Sequence, residues 1–135
     1  GLGATTAPAT ESIMGSLPAD KAGVGSAVND TTRELGGTLG VAVIGSVFSS
    51  IYVNALGAGG PDSVFASLPP DARELTEESV GAAGFVAREL GPNGPAFMAE
   101  VSDAFLSGFT AGSLVAAGVT FAGAVFASRF LPAHA

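Results

Sequence analysis

The sequence predicts an all-α integral membrane chain: two full transmembrane helices plus the end of a third. Three observations predict it. Only 13% of the 135 residues are charged, where a soluble domain carries about 25%. Two long stretches, residues 35–53 and 104–128, carry no charge. Within each stretch, small residues gather on one side of a helical wheel and bulky ones on the other. Mean hydropathy of +0.50 points the same way.

Residues 1–17 read as the end of a transmembrane helix. The stretch carries Glu11 and Pro8 and stops at Pro18, too short and too polar to span alone. Glu11 is read at the interface end of that helix, with an intramembrane proton site as the other reading. A signal peptide is not expected, since no basic start precedes the apolar part. Gly1 stands inside this patterned segment, as a piece of a longer chain would show.

Residues 18–34 form a short polar loop, expected on the cytoplasmic side. Thr31 and Glu34 have the T-x-x-E spacing of a capping box, in which each side chain satisfies a free helical N–H. Arg33 beside them is suited to anchoring at anionic headgroups. This trio is the candidate cap and interface anchor.

The transmembrane helix at 35–53 has no charge, and its length as a helix is about 28 Å at roughly 1.5 Å per residue. A hydrocarbon core of about 30 Å needs this length. Residues 54–103 form a long loop broken by "GAGGP", "LPP" and "GPNGP", which are turn signals. A short amphipathic helix is expected within it, capped by Asp71 or Thr76. Another is expected to begin near Pro95 and lead into the last span. That span, 104–128, would reach about 37 Å as a helix. A short cytoplasmic tail, 129–135, follows. Basic residues set the orientation: Lys21, Arg33 and Arg129 flank the spans, while the long loop is acidic, which places it outside.

Small residues inside apolar helices have a physical use in lipid. Burying hydrocarbon gains little there, so close backbone approach takes over, and small side chains permit it. In the first span Thr38, Ala42, Gly45, Ser46 and Ser49 share a face opposite Val41, Ile44, Phe48, Ile51 and Tyr52. Gly36 and Gly40 add a GxxxG strip. In the second span Gly112, Ser113, Ala116, Ala117, Thr120, Gly123, Ala124 and Ala127 share a face. Thr38, Gly45, Ser49, Ser113 and Thr120 are therefore candidates for helix packing or for lining a cavity. The bulky faces are expected against acyl chains, and two spans alone do not satisfy two such small faces.

Several function classes are disfavoured. A net charge of −7 argues against nucleic acid as a partner. With no Cys, thiolate chemistry and disulfides are excluded. The single His, His134, reads as a solvated tail residue. There is no G-x-S-x-G elbow, and neither "GLGATTAP" nor "GVGS" leads into a Lys-Ser/Thr pair. No enzyme, no metal site and no cofactor is expected.

"SLP" at 16–18, "AGVGSAVND" at 22–30, "RELGG" at 33–37 and "GVAVIGSVFSS" at 40–50 together resemble the late part of the EmrB/QacA drug-resistance transporters. These are fourteen-helix drug:proton antiporters of the major facilitator superfamily. The resemblance is carried by residues 7–52; beyond them it is one of architecture. It implies the end of helix 12, helix 13 and helix 14 of the C-terminal helical bundle. It also implies a multi-pass protein of a bacterial inner or plasma membrane. The remaining helices and the lipid bilayer would be its partners, and a small molecule and protons its cargo. The family's coupling acids lie mainly in its N-terminal half, so none carries over, and the chain alone is not expected to transport. Two rival readings are a small two-span structural or accessory membrane protein and a soluble all-α interaction domain.

Overall fold

Proline and glycine punctuate this chain, and the helices fill the intervals. The computed structural model describes residues 2–130, with side chains from Thr6 onward except that of Pro8. The expectation for His134 lies outside the described residues. Helix α1 covers Leu2–Gly15, α2 Ala22–Gly57, α3 Pro70–Glu78, α4 Val80–Glu89 and α5 Gly94–Phe130. Single 3₁₀ turns stand at Ala19–Lys21, Phe65–Ser67 and Gly91–Asn93. No strand occurs among the described residues.

Two of these helices are long. α2 has 36 residues and α5 has 37, or about 55 Å each. Both pass the length and hydropathy required to cross a membrane. A soluble core helix can be equally apolar, but it is covered by its neighbours. Here Val41 is 77%, Leu114 68% and Phe121 72% exposed. These helices present apolar surface outward, as lipid-facing helices do.

The chain divides into two units, Gly1–Ala42 and Val43–Ala135. In the first, α1 ends at a turn where Leu17 N donates to Met14 O and Lys21 N to Pro18 O. Pro18 is extended, with ψ 149°, and it lacks an N–H, so the helix cannot run through it. The start of α2 then returns against this turn. Gly25 is buried and faces the Leu17 and Met14 side chains so closely that a Cβ would collide with Leu17.

One sequence expectation is corrected here. Residues 22–34 are not a loop: α2 begins at Ala22 and runs through them unbroken. Nothing between Pro18 and Pro61 forbids the helix, and "AGVGSAVND" satisfies its own backbone bonds. The capping box fails with the loop. Thr31 lies well inside α2, and its hydroxyl donates to Ala27 O at 2.8 Å. A residue in mid-helix has no free N–H nearby to cap.

In the second unit, residues 58–93 fold into a small helical connector on the ends of α2 and α5. Pro69 and Pro70 open α3, where a missing N–H costs nothing. Ser79 is extended, with φ −153°, and ends α3 while starting α4; its hydroxyl accepts from Ala82 N. The expected caps, Asp71 and Thr76, are not used. Asp71 lies in the first turn of α3, and Thr76 is buried near its end. Gly91 at φ 56° turns the chain, a left-handed conformation that suits glycine. Pro95 sits in the first turn of α5, as its position predicts.

The core joins all these pieces. Tyr52 and Leu56 from α2, Phe65 and Leu68 from the connector's start, Ala83 and Val86 from α4, and Phe97, Val101 and Ala104 from α5 form one buried cluster. Phe97 and Val101 are 0% exposed. The long loop of the sequence reading is thus a folded element.

Candidate functional site

The site with most to say about function is the seam between α2 and α5 within the second unit. On α5 the buried residues are Gly94, Phe97, Val101, Ala104, Gly108 and Gly112. They recur every three or four residues, so they make one stripe. Below the connector that stripe consists of glycines, and bulky side chains of α2 enter it. A Cβ on Gly108 would lie 2.9 Å from the backbone oxygen of Phe48 and 3.1 Å from its ring. One on Gly112 would lie 3.3 Å from Ile44 Cγ2. The first contact is with backbone, which cannot step aside. Only glycine permits it.

The same contacts fix the register. A step of four back along α2, from Phe48 to Ile44, matches a step of four forward along α5. The helices are therefore antiparallel. In this register Val53 comes level with Asp103, the last charge of α5 before its charge-free run. Tyr52 lies at this height. Aromatic contacts continue the seam: the Phe48 and Tyr52 rings stack at 6.0 Å, and Phe105 meets Phe48 edge-on at 5.4 Å.

Above that level the packing is polar as well as apolar. The Tyr52 hydroxyl donates to Thr76 O at 2.8 Å, in a buried position. This satisfies a last-turn carbonyl of α3 and sets the rotation of α2. On α5, the Glu100 carboxylate accepts Val64 N at 2.9 Å through one oxygen and Phe65 N at 3.0 Å through the other. Charge-assisted bonds of this kind are among the stronger ones. No buried side-chain polar atom lacks a partner among the described residues.

The residues singled out from sequence are distributed unevenly over this arrangement. Gly45 and Ser113 come together, lining an apolar groove of about 290 Å³ with Ile44, Phe48, Phe109, Gly112 and Ala116. Thr38, Ser49 and Thr120 stay on exposed surface. The Thr38 and Thr120 hydroxyls donate within their own helices, to Glu34 O and Ala116 O, both at 2.8 Å. That removes the cost of a bare hydroxyl in an apolar setting. Arg33 and Glu34 are exposed. Thr31 lines a shallow groove of about 430 Å³ on one face of α2 with Gly23, Val24, Ala27, Val28 and Thr32.

The face that α2 presents differs from the wheel-based expectation. Its bulky side, Ile44, Phe48 and Tyr52, meets α5, and its small side is left open. The reason is complementarity: a glycine stripe on one helix accepts knobs from the other, and filling it gains more contact than apposing two flat strips. Sequence reasoning missed Gly108, Glu100, Phe97 and the Tyr52–Thr76 bond. For Gly108 a signal existed, since Gly108 and Gly112 form a GxxxG pair. Glu100 had none: its partners are backbone groups thirty-five and thirty-six residues away.

No histidine, cysteine or carboxylate cluster among the described residues has the makings of a metal site. No family model and no solved structure matches the chain. It is similar to a curated protein, the multidrug efflux pump LfrA of Mycolicibacterium smegmatis. The two are 34% identical over 90 residues, which is 67% of this chain and 17% of that protein. The chain thus spans about a sixth of the length of the relative it matches. An efflux pump and two long apolar helices point in one direction. This is an all-α membrane protein sequence with a transporter's likeness.

Proposed function

We propose that this chain is part of a proton-coupled multidrug efflux transporter of the fourteen-helix EmrB/QacA type. It would export small hydrophobic or cationic compounds by alternating access. The single observation that carries the proposal is the 34% identity to a multidrug efflux pump. The open small-residue face of α2 supports it, because such a face suits a further helix. In this reading α1 is the end of helix 12, α2 contains helix 13 and α5 contains helix 14. The connector lies outside the cell, and Lys21, Arg33 and Arg129 lie at the cytoplasmic side. The chain completes a C-terminal bundle and relies on the remaining helices for coupling and cargo.

The experiment is dye efflux from a pump-deficient bacterium expressing the longest open reading frame that contains these residues. Energised cells should extrude ethidium, and collapse of the proton gradient should stop them. Equal dye retention with and without the protein, at verified membrane expression, would defeat the reading. Stable membrane insertion of residues 1–135 by themselves, with no longer reading frame, would favour a two-span accessory protein instead. Arg33→Ala at equal expression tests the cytoplasmic anchor: efflux should fall about two- to tenfold if Arg33 does more than hold the helix at the interface.

A further inference from the structure

We propose that residues 60–69 form a strap that is clasped by two opposite charges and opens as one unit while the helices around it stay folded. The strap starts at Gly60, in a left-handed conformation with φ 74°, and ends at Pro69. Its centre is the single turn Phe65–Ser67. Glu100 holds the N-terminal side of that turn, taking Val64 N at 2.9 Å and Phe65 N at 3.0 Å on separate oxygens. Arg73 holds the other side, its guanidinium donating to Ala66 O. The negative group meets free N–H groups and the positive group meets a carbonyl, so both charges agree with the dipole of the turn.

Of the amides from 63 to 68, Val64 N and Phe65 N donate to Glu100 and the other four stay within the strap. Ser63 N donates to Gly60 O, Ser67 N to Val64 O and Leu68 N to Phe65 O. Ala66 N donates to Ser63 Oγ. None reaches a helix outside the strap except through Glu100. The strap contributes two buried side chains, Phe65 and Leu68, to the cluster, with Val64 half-buried against it. The rest of that cluster belongs to α2, α4 and α5, and the Tyr52–Thr76 bond holds α3 separately. Few apolar anchors and one charged clasp define a segment with a low local opening cost. Opening it withdraws Phe65 and Leu68 and exposes apolar surface beneath them. The inference is independent of the transport reading.

The test is native-state amide hydrogen exchange on the membrane-purified protein in lipid nanodiscs. In the unaltered protein, amides 63–68 should exchange with one common protection factor, lower than that of 83–87 in α4. Glu100→Gln keeps the size but loses a charged acceptor oxygen, and should speed exchange of 63–68 at least threefold while leaving 83–87 and 97–104 unchanged. Arg73→Gln should act in the same direction and more weakly, since Arg73 is exposed. Tyr52→Phe should leave 63–68 unchanged. A change below threefold in Glu100→Gln would overturn the clasp. Equal acceleration of 83–87 would overturn the separate unit, as would widely scattered protection across 63–68 in the unaltered protein. That last measurement stands even if a variant fails to fold.

Discussion

The two halves of α5 have nearly the same residue types and opposite fates. From Gly94 to Gly112 a stripe of six residues is buried. From 117 to 130 every residue is exposed, Phe121 and Phe126 included. Both halves are rich in Ala, Gly and Phe. What separates them is whether this chain supplies a partner. The first half meets the connector and the bulky face of α2, and no residue of the second half is buried among the described residues. Burial along an apolar helix is therefore a property of its neighbours rather than of its composition.

The contrast can be broken or sharpened by substitution. The largest effect is expected at Phe97, fully enclosed in the connector core. Phe97→Ala should cost about 3–5 kcal/mol in reversible unfolding in detergent. Phe121→Ala, at an exposed site, should stay within about 0.5 kcal/mol. Equal losses at the two positions would remove the distinction between the halves.

A smaller difference is expected between glycines. Gly108→Ala places a methyl 2.9 Å from the Phe48 carbonyl oxygen, and should destabilise by about 1–3 kcal/mol. Gly118 has nothing within 4 Å. Gly118→Ala should be neutral or stabilising by up to about 1 kcal/mol, because alanine favours the helix. Thermal unfolding of both variants in the same detergent makes the comparison. A neutral Gly108→Ala would mean that the seam is looser than its geometry requires.

The smallest effect is at the boundary. Tyr52→Phe keeps the ring in the core and removes only the bond to Thr76 O. It should cost about 1–2 kcal/mol, the range for stranding a buried acceptor. Because the bond ties α3 to α2, amide exchange near 76–79 should rise more than exchange at the Gly108 seam.

Much of the fold was legible in the residues. The charge gaps located both long helices, and the prolines at 18, 69, 70 and 95 marked where helices stop or start. The candidate site was legible only in part. Gly45 and Ser113, read on small faces, both line one groove. The T-x-x-E cap at Thr31 was a false signal, because spacing alone does not tell a helix start from a helix interior. The connector was read as loop with short helices. Its order rests on Glu100 and Tyr52 reaching backbone groups distant in sequence, and no local pattern encodes such a reach.

By itself the sequence determined the helix class, the two apolar lengths, the acidic character of the connector and the positions of the chain breaks. Each follows from local rules: hydropathy over a window, a missing N–H at proline, a charge that lipid will not admit. Only the tertiary structure decided which face of α2 meets α5, why Gly108 admits no side chain, and how the connector is tied down. Those depend on complementarity between surfaces far apart in the chain. A helical wheel orders the residues around one axis but cannot say what will stand opposite.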